Sequence, residues 1–283
     1  MEAPEHHQRP ILGRQNGSRT VIALKPLQRK GFRGRLTGAL PAGRRERGST
    51  MKEILEQGLQ ALELPPELSS ALERYGEMLL EKNKVMNLTA ITEPNEVATL
   101  HFLDSLCLTR YVRLSGKQMV DVGTGAGFPG LPLRILEPSL QLTLLDSLGK
   151  RVNWLASVCN TLGLEGVECL HARAEEQALV DGYRDGFDYA VSRAVASLEL
   201  LCELCLPYLK VGGRFLAMKG VDSGEEINRA ARCISILGGR LLPSVDYVIP
   251  GANVRHRVVL VEKCTPTPNG YPRRWAKIQK APL

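Results

Sequence analysis

Val120-Asp121-Val122-Gly123-Thr124-Gly125-Ala126-Gly127-Phe128-Pro129-Gly130 is the stretch on which the reading of this chain turns. It begins within a short strand-like run at residues 119–121 and leads into helix-forming residues. Glycines at alternate positions let a backbone turn tightly and come close to a ligand. Pro129 suits a first helical turn. A strand, a Gly-rich loop and a helix in this order form the first crossover of a doubly wound sheet. Ligands of such sheets lie beyond the carboxyl ends of the strands.

Working outward, the downstream sequence alternates between strand and helix patterns. Strands are expected at 142–145 (followed by Asp146), 167–170, 187–192 and 213–218. Helices are expected at 150–162, 198–209 and 225–237, and residues 241–249 and 254–261 read as a closing antiparallel pair. Alternation of this kind predicts an α/β fold with a doubly wound, mostly parallel sheet. Upstream, residues 51–115 read as a small helical subdomain. Ile54, Leu55, Leu59 and Leu62 recur at helical spacing, and Leu68, Leu72, Tyr75, Leu79 and Val85 form a second stripe. A third helix opens at Asn95-Glu96 and carries Val97, Leu100, Leu103, Leu106 and Leu108. The expected organisation is therefore an extension (1–50), a helical subdomain (51–115), a ligand-binding domain (116–263) and a basic tail (264–283).

The formal charge of +7 is unevenly placed. Residues 1–50 hold 11 Lys/Arg against 3 Asp/Glu, which leaves 26 against 27 in the remainder. The globular part is neutral, so any basic surface there comes from local clustering. The extension is rich in Gly, Arg and Pro and has no hydrophobic period. Three readings of it compete: a disordered basic arm for RNA, a targeting segment, or residues upstream of a start at Met51. No apolar run reaches the ~20 residues of a transmembrane helix and no signal-peptide core is visible, so the cytoplasm is the expected compartment. Seven irregularly spaced cysteines fit reduced thiols better than a disulfide framework. Cys202-x-x-Cys205 lies in a Leu-rich helical run without a second pair, which reads as core packing, and no metal site is expected.

Gly125, Gly127 and Gly130 also satisfy G-x-G-x-x-G, a weak signal alone. Asp121 stands two residues before the first glycine and completes D-x-G-x-G-x-G, which resembles motif I of class I S-adenosylmethionine-dependent methyltransferases. No second domain remains to hold a hydride partner, which disfavours NAD. Asp146, at the end of the second strand, suits the ribose hydroxyls of either cofactor.

Further segments make the resemblance specific. DVGTGAGFPG (121–130), LLDSLGKR (144–151), Ser192-Arg193-Ala194 and Lys219-Gly220 follow Asn87-Leu88-Thr89 and HFLDS (101–105). In this order they resemble the bacterial small-subunit ribosomal RNA methyltransferase G family, also called glucose-inhibited division protein B, from about Met51 to the C-terminus. The resemblance implies a Rossmann-like fold, S-adenosylmethionine, and methylation of N7 of one guanine in a 16S rRNA loop of the decoding region. It places Asp121, Gly123, Gly125, Gly127, Phe128, Asp146, Ala174, Glu175 and Arg193 at the cofactor, with Arg193 also facing the reaction centre. Lys150, Arg151, Lys219, Arg255, Arg273 and Arg274 are the candidates for RNA contact. The implied partner is 16S rRNA or the small subunit, and a monomer is expected.

The chemistry accords with these residues. Guanine N7 carries a lone pair and no proton, so its methylation needs alignment and charge stabilisation rather than a general base. Ser192-Arg193-Ala194-Val195 departs from the [ND]-P-P-[YFW] segment of amine methyltransferases. No cysteine sits as a cytosine-C5 nucleophile would. His101, Asp104 and Ser105 share one helix and cannot form a hydrolytic relay; they read as hydrogen-bonding partners between the helical subdomain and the cofactor pocket, or as substrate contacts. Two other classes stay open: a methyltransferase for another RNA or a small molecule (or an NAD enzyme), and a non-catalytic RNA-binding module.

Overall fold

The computed structural model describes residues 49–283. The competing readings of the basic extension lie outside the described residues, except at its last two positions. Thr50 belongs to the fold. Its side chain accepts from the Glu53 N–H at 3.3 Å, and the Glu53 carboxylate accepts from the Thr50 N–H at 2.8 Å. This reciprocal cap satisfies two donors that a helix start leaves open. It begins α1 (Met51–Ala61), and after a 3₁₀ turn α2 (Ser69–Met86) follows. The third helix has an irregular middle. α3 (Pro94–Glu96) passes through a π-helical turn, Val97–Leu103, into α4 (Asp104–Leu106). Leu55, Leu59, Leu72, Tyr75, Leu79, Phe102, Leu103 and Leu106 are fully buried. Val85 is not: it is 80% exposed, because six residues past Leu79 the helical period has carried it off the stripe.

From β1 (Gln118–Val122) the chain alternates. There follow α5 (Gly130–Leu136), β2 (Gln141–Asp146), α6 (Gly149–Leu162), β3 (Val167–His171) and α7 (Ala174–Gln177). Then come β4 (Phe187–Arg193), α8 (Leu198–Cys205), β5 (Leu209–Gly220) and α9 (Gly224–Ile236). β6 (Gly239–Leu241), β7 (Val245–Val248), β8 (Arg255–Lys263) and α10 (Trp275–Lys280) complete the fold. The strand order is β3-β2-β1-β4-β5-β8-β6, with β7 also pairing β8. β1 to β5 pair in parallel, and β8 is antiparallel to its three partners.

Two expected elements are corrected. Residues 241–249 do not form one strand: Pro243 has no N–H for the ladder, and β6 and β7 flank it. The helix expected at 198–209 ends at Cys205, since Pro207 sits in a 3₁₀ turn and Leu209 already starts β5. Cys202 and Cys205 are fully buried in the core, as expected.

α1, α2 and the π-turn share one continuous core with α5, α6 and one face of the sheet, while α8, α9 and α10 cover the other. Strand order reverses direction between β1 and β4. The loops leaving these two strands diverge there and open a crevice at their carboxyl ends. The C-terminal segment is docked by specific bonds. Arg184 donates to Tyr271 O at 2.9 Å and Thr267 O at 2.8 Å, and Ile278 is fully buried. Arg273 takes part in this docking. Its guanidinium holds Glu203 on α8, with Nε to Oε1 at 2.8 Å and Nη2 to Oε2 at 2.6 Å.

Candidate active site

The crevice holds a cavity of about 780 Å³, within the size of known ligand pockets. Gly123, Gly125, Phe128, Asp146, Arg151, Arg193, Lys219 and His256 are among its walls.

The glycine loop is shaped from below. Asp121 is fully buried, with Oδ2 accepting from Thr124 Oγ1 at 2.9 Å and from the Gly130 N–H at 2.8 Å. It braces both ends of the loop from beneath and is not among the cavity walls. Burial raises its carboxyl to about 6, against the pull of those two donors. Gly127 has φ +91°, and a Cβ there would stand 2.2 Å from the Tyr75 hydroxyl. That close approach requires glycine. It lets the Tyr75 hydroxyl donate to Ala126 O. Gly127 thus packs the loop onto α2 and is not among the cavity walls.

Asp146 closes the β2 end. Its Oδ1 accepts from Leu148 N–H at 2.8 Å, its Oδ2 from Gly125 N–H at 3.0 Å, and Arg151 stands 3.6 Å away. A carboxylate offers about four lone-pair positions. Two are filled, so two remain to accept from a pair of vicinal hydroxyls, and an adenosine ribose fits this acceptor arrangement. Ala174 and Glu175 open α7 after β3, the next strand along the edge, where Ala172 N–H bonds Asp146 O at 3.2 Å. Both lie beyond the cavity walls, and Glu175 is buried.

Arg193, the last residue of β4, joins the sheet to the helices. Nη1 donates to Leu100 O at 2.9 Å and Asp104 Oδ2 at 3.2 Å, and Nη2 to His101 Nδ1 at 2.8 Å. The guanidinium also lies 5.1 Å from the Phe128 ring centre. His101 stacks on the other partner of this pair, its ring 4.5 Å from Phe128. All three acceptors of Arg193 lie in or beside the π-turn, a form that recurs at functional sites. Ala194, just beyond, has φ +55°, strain that a non-glycine residue adopts only when its surroundings impose it.

Proton positions follow from Arg193, which can only donate. His101 Nδ1 must accept, so its hydrogen is on Nε2, which donates to Thr89 Oγ1 at 2.8 Å. Burial and the Arg193 charge hold His101 down at about 3, so the ring is neutral. Thr89 Oγ1 also accepts from Ile91 N–H at 3.1 Å, and its own hydroxyl hydrogen is left for the cavity it lines. Asp104 is fully buried. Its Oδ1 accepts from Tyr247 OH at 2.7 Å and from His256 Nδ1 at 3.0 Å. His101 and Asp104 thus hydrogen-bond between helices and site, one of the two roles the sequence left open. Ser105 only donates to His101 O within the helix. Thr89, Tyr247 and His256 were not singled out as site residues. No sequence signal could pair Asp104 with residues more than 140 positions away, although Thr89 stood in a noted motif.

The basic candidates divide. Lys219 lines the cavity, and its Nζ donates to Ala196 O and to Glu226, both at 2.7 Å. Arg151 and Arg255 lie in or next to that wall, Lys150 is exposed beside Arg151, and Arg274 is exposed on the docked tail. No group of metal-binding side chains occurs among the described residues. No helix among them is long and apolar enough to cross a membrane.

Comparison with known proteins gives consistent relatives. A family model described as rRNA small subunit methyltransferase G matches residues 68–248. A protein of Alkaliphilus oremlandii named ribosomal RNA small subunit methyltransferase G is 45% identical over 237 residues, 82% of this chain and 99% of its own length. A protein of the same name from Alkaliphilus metalliredigens is 46% identical over 236 residues, covering 82% and 98%. One from Clostridium tetani is 43% identical over 215 residues, covering 76% and 90%.

Proposed function

The chain belongs to the rRNA small subunit methyltransferase G family, and from that premise we propose that this S-adenosylmethionine-dependent enzyme methylates N7 of a guanine in 16S rRNA. One observation carries the choice of atom. Among the described residues that Arg193 touches, the two groups that could take a proton from an amine are already engaged: both ring nitrogens of His101 are hydrogen-bonded, and Asp104 accepts from Arg193, Tyr247 and His256. N7 has no proton to lose, so a site built this way suffices.

The cofactor supplies an electrophilic methyl group on a sulfonium. The protein's residues do the rest by position. Asp146 takes the ribose hydroxyls and the loop of Gly123 and Gly125 brings the backbone close. Phe128, clamped between His101 and Tyr75, gives a rigid apolar wall beside the transfer point and excludes water. Arg193 is held by three acceptors and fixes the geometry of that wall. Such rigidity converts binding into alignment, the main contribution available when no proton moves. Ala174 and Glu175 flank the adenine from the adjacent strand in this reading. Lys150, Arg151 and Arg255 meet phosphates near the mouth, with Arg274 further along the surface. The enzyme acts as a monomer in the cytoplasm, on 16S rRNA or the small subunit.

The test is transfer from labelled S-adenosylmethionine to small subunits, with the product mapped by aniline cleavage at N7-methylguanine. One labelled guanine is expected, lost in Asp146→Ala together with cofactor binding. Label on another atom or another RNA, with cofactor binding intact, rejects the assigned target.

A further inference from the structure

We propose that His256 recognises the target guanine, its Nε2 accepting the imino N1–H of the base whose N7 is methylated; this rests on the guanine-N7 reading above.

His256 is fixed by one ring nitrogen and open at the other. Nδ1 lies 3.0 Å from Asp104 Oδ1, an oxygen that already accepts from Tyr247. Asp104 Oδ2 is 3.2 Å from Arg193. An oxygen so engaged accepts, so the His256 hydrogen is on Nδ1. Nε2 of the neutral ring then carries a lone pair, and it has no partner among the described residues. The ring meets Tyr247 edge to face at 6.2 Å, its side chain is 30% exposed, and it lines the cavity.

Its place in the sheet says which reactant it meets. Asp146 ends β2, and His256 pairs with Gly220 at the end of β5, on β8. With β1, β4 and β5 between them, β2 and β8 are four strand spacings apart, or about 19 Å. A nucleoside held at Asp146 leaves the His256 end to the methyl acceptor.

The chemistry of transfer suits a neutral acceptor there. The N7 lone pair forms the new bond to the methyl carbon. The carbon–sulfur bond breaks with its electron pair kept by sulfur, and the positive charge passes to the purine. N1–H, joined to N7 through C6 and C5 of the same conjugated ring system, becomes more acidic as that charge develops. A hydrogen bond from it to Nε2 becomes charge-assisted and so favours the transition state over the ground state. Adenine offers a lone pair at N1, which a lone pair on Nε2 repels.

Among the described residues, Asp104 from α4 and Arg193 from β4 act on the ring, Tyr247 from β7 meets it, and Lys219 from β5 shares the cavity wall; Arg255 and Arg257 are its neighbours along β8. Arg257 is occupied by Asp246 at 2.6 Å and Lys219 by Glu226. The hydrogen bond to Asp104 raises His256 above its ordinary value, against burial and Arg193. Protonation fills Nε2 and removes the acceptor. The rate therefore falls as pH drops through this raised value.

His256→Asn keeps an N–H for Asp104 and deletes Nε2. Transfer to small subunits lacking the modification is followed across about pH 5.5 to 8.5, with cofactor binding by calorimetry and the melting temperature alongside. The variant is expected to bind cofactor and melt like the wild type. It should lose about 10- to 100-fold in kcat, with the acid limb of the pH profile flattened. An unchanged rate, or a lower rate with the acid limb intact, overturns the proposal and leaves the N7 assignment standing. Absence of N7-methylguanine with the wild-type enzyme overturns both.

Discussion

Arg193 donates to Leu100 O, Asp104 and His101 at once, and a planar, branched cation is needed to do so. Lysine offers a compact point charge on a flexible stem. Arg193→Lys should therefore lower methyl transfer by about 100-fold while cofactor affinity changes little; a parallel loss of both in calorimetry would place Arg193 on the cofactor alone. Asp121 makes a second prediction, with a definite sign. Burial raises its carboxyl to about 6 from 3.8, so the folded state holds the proton more tightly than the unfolded chain. The resulting stabilisation is complete below about pH 4 and is lost as pH rises through about 6. Asp121→Asn keeps an acceptor for Thr124 and Gly130 without the charge, and its melting temperature relative to wild type should rise across that window. Asp121→Ala should be less stable at pH 7, by about 1–3 kcal/mol for the abandoned donors. Parallel melting curves for wild type and Asp121→Asn would reject this account.

At the scale of elements, the helices hold the site by close approach. A Cβ on Gly58 of α1 would stand 2.1 Å from Leu103 Cδ1 and 2.9 Å from its Cγ, and Leu103 is fully buried in the π-turn. Alanine in an open helix gains about 1 kcal/mol over glycine, but overpacking costs about 1–3 kcal/mol. Gly58→Ala should lower the melting temperature, and it should also lower transfer because the π-turn carries His101 and the Leu100 carbonyl. A raised melting temperature would mean that Leu103 has room to move. The π-turn itself had no signature in the sequence. Residues 95–108 show the apolar spacing of an ordinary helix, and that spacing does not report a local change in hydrogen-bond pattern. The break between β6 and β7 had a signature at Pro243 that the expected strand at 241–249 passed over: a missing N–H is a property of one residue.

Over the whole molecule, the docked C-terminal segment and the cavity mouth are separate matters. Glu203 is 1% exposed and its partner Arg273 comes from 70 positions away. Arg273→Ala strands that carboxylate and should cost about 3–5 kcal/mol, seen as a lower denaturation midpoint. Lys150→Ala, Arg151→Ala and Arg255→Ala should leave stability nearly unchanged. Each that contacts a phosphate lowers the salt dependence of RNA binding by about one unit of slope, and unchanged slopes in all three would move the RNA path elsewhere.

The sequence by itself determined the fold class, the glycine loop and the acid at the end of β2, because each is written in contiguous residues: hydrophobic period, backbone freedom and a carboxylate one strand later. Tertiary structure alone decided what those groups do. It placed Asp121 under the loop, paired Arg273 and Lys219 with carboxylates, and assembled Thr89, His101, Arg193, Asp104 and His256 around one cavity, with Tyr247 behind Asp104. The physical reason is distance along the chain. A hydrogen bond forms between atoms about 3 Å apart, and here its partners lie up to 152 positions apart, beyond the reach of any local pattern.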